Sequence, residues 1–354
     1  MFVIRPAIQD DLATLLKFAK MVHFINLPAD RDLLSAKVAR SRRSFMLHAE
    51  DAREREFMFV LEDQETNEVI GTCGVLSSVS WPGHPQITLK VRRREHFSED
   101  LRGGQVHTTV EMCTDETGPS EVGGLILAPG FRGRADHLGA LLSLVRFHFI
   151  GLHRELFAPR ILAEMMGPLT PDSLTPLWEY FGRRFINLSY READLFSSRS
   201  KEFMLSLFPK GEIYVSMLPP EARALIGRVG EETEPARRLL EKQGFRCDGQ
   251  VDPFDGGPCL EAERDAIPLV RATERVVLLG TKEFGTASPE AFVSNPGPTG
   301  FRAMRSAFDA SAEGIWLPDA VVAALHLKQG AMVGVTPLPT SREASRRKPR
   351  KGTP

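Results

Sequence analysis

A glycine-bearing apolar segment, a basic turn and a long helix follow one another in the middle of the chain. Residues 122–127 read Val-Gly-Gly-Leu-Ile-Leu, which is typical of a strand whose glycines let another group approach its backbone. Pro129 and Gly130 end this strand, and Arg132-Gly133-Arg134 forms a basic turn. A helix is predicted over about 138–153, because apolar residues recur at helical spacing: Leu138, Leu141, Leu142, Val145, Phe149 and Leu152. Such a unit favours an α/β fold in which a helix packs on a sheet.

The flanking segments extend this pattern in both directions. Residues 2–4 predict a short strand, and Asp10 can cap a helix that follows it. Residues 57–61 and 69–76 are β-rich and predict a hairpin. Further predicted elements are a strand over 161–165, a helix over 176–181, a helix over 234–243 and a strand over 245–251. We therefore expect an α/β (α+β) fold with a mixed sheet flanked by helices. Two short similar passages, each a helix that ends on glycine before a strand, hint at two related halves.

The character of the chain changes near residue 266. Strands are predicted at 276–279 and 332–335, with a short helix at 318–325 between them. We expect one large domain over 1–265, either a single unit or two tandem halves, and a small β-rich C-terminal domain over 266–340. Residues 341–354 carry six Arg and Lys residues without an apolar anchor, which predicts a disordered basic tail.

Composition excludes several classes of protein. The 354 residues carry 45 basic and 46 acidic side chains, and this balance argues against a nucleic-acid binder. The four cysteines are too scattered for a metal site or a disulfide framework, so we expect reduced buried thiols and no metal. The amino terminus does not resemble a signal peptide, and no apolar run is long enough to span a membrane. The expectation is a soluble protein of the cytoplasm with no membrane partner.

The basic turn has the chemistry of a phosphate-binding site. The first turn of a helix offers unpaired N–H groups and the positive end of its dipole, and Arg132 and Arg134 add charged donors. The turn is neither a Walker loop nor the dinucleotide-binding glycine pattern. A solvated loop is the alternative, and the turn alone does not decide between them.

The order of these residues resembles the acetyl-CoA-binding segment of the GCN5-related N-acyltransferases. A narrower resemblance, to arginine N-succinyltransferases, runs in order over about residues 2–338. It is carried by short segments that include Leu27-Pro28, Phe59–Asp63, Thr117-Gly118, Ala163-Glu164-Met165, Pro176–Glu179, Glu192-Ala193-Asp194 and Val251–Pro258. The resemblance implies transfer of a succinyl group from succinyl-CoA to the α-amine of L-arginine, in arginine catabolism.

The same resemblance implies where the acyl-CoA binds. Leu125, Ile126 and Leu127 would line the pantetheine arm. The pyrophosphate would be held by the turn and the helix start, namely Arg132, Gly133, Arg134, Leu138, Gly139 and Ala140. L-Arginine or a related amine is the expected small-molecule partner. A homo-oligomer, or a hetero-oligomer with a paralogue, is the expected assembly.

Two departures from the family pattern bear on function. The turn is about two residues longer than the compact loop of the family. The histidine assigned as the family's acid/base follows a valine, and here Gly230 follows Val229. An acyltransferase for another amine or acyl-CoA, or a catalytically silent acyl-CoA-binding subunit, therefore stands as an alternative.

The amine that attacks a thioester must lose a proton, so a base is needed. Glu121, just before the glycine-bearing strand, and Glu164, at the end of the next strand, are the catalytic candidates, with surface or pairing roles as the alternative. The guanidinium of arginine needs carboxylates, which Asp252 and Asp255 can supply unless they only cap their turn. Arg183 can bind a substrate carboxylate or lie on a solvated face.

Overall fold

The computed structural model describes residues 1–21, 27–170, 174–197, 199–285 and 287–338. The predicted tail at 341–354 lies outside these residues. Sixteen strands and ten helices are found in the described part of the chain. The helices are α1 Leu12–Met21, α2 Arg31–Phe45, α3 Leu138–Leu152, α4 Pro176–Tyr180, α5 Tyr190–Ser197, α6 Glu202–Leu207, α7 Pro220–Arg223, α8 Glu234–Lys242, α9 Pro268–Arg271 and α10 Asp319–Ala324.

Most strands join one large mixed sheet. Its order is β10-β7-β6-β3-β2-β1-β13-β12-β16-β11-β15-β14. The six strands in the first half of this order are β1 Phe2–Pro6, β2 Glu56–Asp63, β3 Glu68–Leu76, β6 Ser120–Leu127, β7 Arg160–Glu164 and β10 Cys259–Glu263. The later strands are β11 Glu274–Thr281, β12 Glu290–Asn295, β13 Arg302–Ala307, β14 Asp309–Ser311, β15 Gly314–Leu317 and β16 Met332–Pro337. The predicted hairpin is confirmed as β2–β3, paired antiparallel.

A second sheet of four strands has the order β8-β5-β4-β9. Its centre is a long hairpin of β4 Gln86–Ser98 and β5 Gly103–Asp115, flanked by the two-residue strands β8 Ile213–Tyr214 and β9 Gln250–Val251. The predicted strand over 245–251 was wrong in length, because only its last two residues pair as a strand, with β4. Phe245 instead packs in the core against Phe147.

The predicted helix after the basic turn is confirmed as α3, and it forms the centre of the main core. Phe147, Phe149 and Ile150 have no exposed surface and pack against the sheet. Phe149 contacts the rings of Phe57 and Phe59 on β2 with centroid distances of 5.0 and 5.2 Å. At roughly 1.5–3 kcal/mol for each buried apolar side chain, this packing fixes α3 on the sheet.

The strands from β11 onward extend the large sheet through the pairing of β13 with β1. The domain boundary expected near residue 265 stays a prediction. The four cysteines are all free thiols; Cys73 and Cys259 are buried, as expected, but Cys247 is exposed because it lies on the surface turn before β9. No helix in the described ranges is long and apolar enough to cross a bilayer.

Candidate active site

Strand β6 has a register shift in its pairing with β3, and on its other side it separates from β7. Thr72 of β3 pairs with Ile126 and Gly74 pairs with Gly123, so β6 carries one extra residue between these pairs. Gly124 takes up this bulge with φ +61°, a conformation that glycine adopts without strain. A bulge re-aims the backbone amides beside it, and the absence of side chains leaves this part of the sheet surface bare.

The other edge of β6 opens toward β7. The two strands run parallel, and within the described residues they pair only at Ser120 with Ile161 and at Glu121 with Leu162. Residues 122–127 therefore carry no strand on that side. A free strand edge can pair with an extended ligand that has amide groups of its own.

The basic turn lies at the end of this free edge. Arg132 donates from Nε to the carbonyl oxygen of Leu127, 3.0 Å away, so its side chain folds back over the strand end. The guanidinium of Arg134 lies 5.2 Å from the centre of the Phe131 ring. His137 has a left-handed backbone, with φ +52°, and is the N-cap of α3. The amides of Leu138 and Gly139 in the first helical turn are the type of donor that an anion can accept from.

The predicted CoA-contacting residues follow one another along β6, the basic turn and the start of α3, but only some of them are exposed. The side chains of Ile126 and Leu127 are buried in the cores, so contact with a ligand there falls to their backbone and to the partly buried Leu125. Gly133 has φ +71°, which allows the tight turn between the two arginines. Leu138 is buried, whereas Gly139 and Ala140 at the helix start are partly exposed.

Glu121 lies on the floor of the site. Its residue exposure is 7%, and its Cα partners are Leu76 on β3 and Leu162 on β7. The buried Arg146 of α3 reaches toward the same strand, with Nη1 3.4 Å from the carbonyl oxygen of Gly123. Burial lowers the pKa of Arg146, and the negative charge of Glu121 opposes that shift. Glu121 thus lies two residues before Gly123, the first glycine of the bare surface.

Glu164 lies at the other end of the site. It is exposed, and its Oε1 accepts a hydrogen bond of 2.7 Å from Nε2 of Gln86. It shares the face of β7 with Leu162, because residues two apart in a strand point the same way. The structure places Glu121 and Glu164 on adjacent strands, with Glu164 beyond the point where those strands separate.

A group of carboxylates surrounds Glu164. Burial raises the pKa of Asp255 to about 6, although N–H groups of Gly257 and Gly167 donate to it and oppose the shift. Burial also raises the pKa of Asp252, with further contributions from the charges of Asp255 and Glu164. Asp194 of α5 has a pKa raised to about 7, mainly by burial and then by Asp255. A cation placed among these groups would relieve their repulsion.

Both aspartates of the predicted substrate site also hold their own turn. Asp252 Oδ1 accepts N–H bonds from Phe254 and Asp255, and the Asp255 carboxylate accepts from Gly167 and Gly257. The turn-capping role is thus present, and substrate binding by the remaining lone pairs stays a prediction. Arg183 is half-exposed and paired with Glu179 at 2.8 Å, which leaves its role as a prediction too.

Gly230, which the resemblance places at the position of the family's histidine, lies near this acidic group. Its N–H donates to the carbonyl oxygen of Met166, and a Cβ there would be 3.5 Å from the oxygen of Gly167. Gly230 therefore lies next to the segment that follows the end of β7. The described residues contain no group of three or more side chains suited to hold a metal ion.

Sequence reasoning missed a third set of residues, Lys37, Arg40 and Glu56, on the β2 side of the site. Lys37 and Arg40 lie on α2, and Lys37 Nζ is 2.6 Å from Oε1 of Glu56. No local motif marks them, since they come from a helix and a strand that meet only in the fold. The one sequence signal is the i, i+3 spacing of the two cations, in a segment for which the sequence analysis predicted no helix.

A bulged central strand with a free parallel edge, followed by a basic turn and a helix, gives the chain the fold of a GCN5-related N-acyltransferase, a mixed sheet flanked by helices. The family model described as "Arginine N-succinyltransferase beta subunit" matches residues 2–269. The chain belongs to the arginine N-succinyltransferase family.

Individual relatives cover nearly the whole chain. Arginine N-succinyltransferase of Enterobacter sp. (strain 638) is 35% identical over 307 residues, which is 86% of this chain and 88% of that protein. The protein of the same name from Citrobacter koseri is 33% identical over 336 residues, covering 94% and 96% of the two chains. Among solved structures, arginine/ornithine succinyltransferase subunit AI from Pseudomonas aeruginosa superposes with a TM-score of 0.81 at 27% identity, covering 96% of this chain and 99% of that one.

Proposed function

We propose that the chain transfers the succinyl group of succinyl-CoA to the α-amine of L-arginine. The observation that carries the proposal is the bare, bulged stretch of β6 with Glu121 at its start, in a chain of this family. A free edge, a buried carboxylate and an anion-binding turn are the parts that direct attack of an amine on a CoA thioester requires.

The acyl-CoA would run along β6 toward α3. Amide groups of the pantetheine arm can pair with the free backbone of residues 122–127, as a peptide strand would. The pyrophosphate can then accept N–H bonds at the start of α3, with Arg132 and Arg134 as charged donors. This arrangement brings the thioester to the bulge at Gly124, where re-aimed amides can stabilise an oxyanion.

Glu121 is the proposed base. The amine nitrogen of arginine attacks the thioester carbon, the C–S bond breaks, and the sulfur leaves as the thiolate of CoA. The proton lost by the amine passes to the Glu121 carboxylate, directly or through water, and is returned to the thiolate. The guanidinium would extend toward Glu164, Asp252 and Asp255, whose crowding a cation relieves.

Release of free CoA from succinyl-CoA tests the function. We expect release with L-arginine well above the rate without an amine, and slower release with lysine or ornithine. Faster turnover with acetyl-CoA would contradict the succinyl assignment. Binding of succinyl-CoA without release for any amine would favour the silent-subunit alternative.

The double substitution of Arg132 and Arg134 by alanine tests the CoA site. Two charge-assisted contacts to a pyrophosphate, each weakened by solvent, are together worth about 2–3 kcal/mol, so the Kd of CoA is expected to rise about 30- to 150-fold. Isothermal titration calorimetry measures the Kd of CoA and the Kd of pantetheine, which has no phosphate groups. The two arginines should not affect pantetheine binding, and equal losses for both ligands would contradict the assignment.

We also propose a cytoplasmic location and an assembly of two or more chains. Exposed apolar side chains on the β4–β5 hairpin support the assembly, namely Phe97, Leu101 and Val106, with exposures of 65%, 84% and 60%. Large exposed apolar groups on one surface are typical of contact sites.

A further inference from the structure

A buried ion cluster lies on the β2 side of the glycine surface. Glu56, at the start of β2, is 93% buried, since its side-chain exposure is 7%. Lys37 Nζ lies 2.6 Å from its Oε1 and Arg40 Nη1 lies 3.8 Å from its Oε2. Because Lys37 and Arg40 are three residues apart on α2, they share one side of the helix. The cluster of Lys37, Arg40 and Glu56 carries one positive charge in excess.

The cluster has hydrogen-bonding capacity that the described chain does not use. Glu56 Oε2 is buried and has no hydrogen-bond donor among the described residues. The Arg40 guanidinium, 3.8 Å away, is beyond hydrogen-bond distance of it and is 45% exposed. A buried polar atom without a partner costs about 1–3 kcal/mol, so such an arrangement calls for a ligand or water that completes it.

Glu56 of the cluster lines the same small cavity as the bulge. The other lining residues are Leu27, Met58 of β2, Thr72–Leu76 of β3, and Gly123 and Gly124 of β6. The register explains this proximity, because Glu56 pairs with Leu76 and Leu76 pairs with Glu121. Residues paired directly opposite each other project from the same face, so the cluster and Glu121 share the face that the substrates would use.

The β2 side and the β7 side of the candidate site carry opposite charge. The β2 end has the excess cation, and the β7 end has Glu164 with Asp194, Asp252 and Asp255. Three strand spacings separate β2 from β7, which is roughly 14 Å. The proposed product has a carboxylate and a guanidinium joined by ten bonds, or about 12 Å when extended at roughly 1.25 Å of advance per bond.

We propose that Lys37 and Arg40 bind the terminal carboxylate of the succinyl group, and so select a dicarboxylic acyl-CoA. This inference rests on the proposed function. The free carboxylate of the succinyl group neutralises the excess charge of the cluster. The Arg40 guanidinium has five N–H groups, which are enough to donate both to this carboxylate and to Glu56 Oε2. Glu56 is a positioning residue that holds Lys37 through their 2.6 Å contact.

Single alanine substitutions of Arg40 and Lys37 test the subsite by comparing acyl donors. With one amine at saturation, kcat/KM for succinyl-CoA should fall about 10- to 100-fold in each variant, because one charge-assisted contact is lost. With acetyl-CoA, which has no second carboxylate, the two variants should match the parent within about twofold. Arg43→Ala, an exposed position on the same helix, is the matched control and should change neither value. Equal losses with both donors, or no loss with succinyl-CoA, would overturn the subsite.

Binding without turnover separates this inference from the proposed function. The parent should bind succinyl-CoA at least tenfold more tightly than acetyl-CoA, and Arg40→Ala should bring the two Kd values together. This comparison stands even if the parent acylates no amine. Thermal melting followed by circular dichroism identifies any loss of folding in each variant. Because Arg40 is half-exposed, Arg40→Ala is expected to fold and can be tested even if Lys37→Ala unfolds. An unchanged ratio of the two Kd values in folded Arg40→Ala refutes the proposal.

Discussion

Replacement of Glu121 by glutamine is expected to lower kcat for succinyl transfer by about 10²- to 10⁴-fold, the usual contribution of a positioned general base. The amide keeps the size of the side chain and removes only its capacity to take a proton. Because Glu121 is buried on β6 between Leu76 and Leu162, glutamine can occupy the same space without moving the strand. The KM for succinyl-CoA should stay within a few-fold of the parent value.

The pH–rate profile separates a base from a merely structural carboxylate. The pH–rate profile of Glu121→Gln should differ in shape from that of the parent, because only the parent has a carboxylate at this position that can take the proton of the amine. Glu164→Gln is the matched control, since Glu164 is exposed and Gln86 can still donate to the new amide. It should leave kcat within about threefold and raise the KM for arginine. The reverse pattern, a large kcat loss only in Glu164→Gln, would transfer the base to Glu164.

The part of the site that local sequence could predict is the part built from one continuous segment. Residues 122–153 carry their own signals: glycines in a strand, Pro129 at its end, and a helix of 3.6-residue period. The structure confirms the strand as β6 and the helix as α3. Such signals are strong because each residue acts on its immediate neighbours.

The remaining parts depend on pairings between distant segments. The long β4–β5 hairpin was not predicted, because Pro82, Pro85 and the Gly103-Gly104 pair obscured its strands. The alignment of Glu56 with Glu121 follows from the register of three strands, and the acidic group joins α5, β7 and the turn before β10. No local pattern encodes a register that is fixed by packing of the whole sheet.

A buried polar network between α3 and strands β12 and β16 also depends on contacts between distant segments. His148 has no exposed surface, and its ring lies 2.6 Å from Thr336 Oγ1 and 2.7 Å from Ser294 Oγ. Thr273 Oγ1 donates to the carbonyl oxygen of Leu269, so it accepts from Thr336. Thr336 then accepts from Nδ1–H of His148, and Nε2 is left to accept from Ser294. This chain of donors fits a neutral imidazole.

Substitution of His148 by glutamine is therefore expected to cost less stability in acid than at neutral pH. Burial lowers the pKa of His148 to about 3, against 6.5 for an exposed histidine. Below pH 6.5 the unfolded chain binds a proton that the folded chain does not, so the contribution of His148 is present above pH 6.5 and is lost as the pH falls toward 3. At pH 5.0 the loss is about 2 kcal/mol, from 1.5 pH units at 1.36 kcal/mol each.

Urea unfolding of the parent and His148→Gln at pH 7.5 and 5.0 measures this difference. At pH 7.5 the variant should be about 2 kcal/mol less stable, because glutamine satisfies the two hydroxyls less well. At pH 5.0 that deficit should shrink to near zero, because only the parent has lost the imidazole contribution. The raised pKa values of Asp194 and Asp255, and the lowered pKa of His153, act equally in both proteins and cancel. His48→Gln, at an exposed position, should show no deficit at either pH. A deficit for His148→Gln that is the same at both pH values would mean that the imidazole gains no proton on unfolding at pH 5.0, because the folded network already holds a protonated ring at that pH.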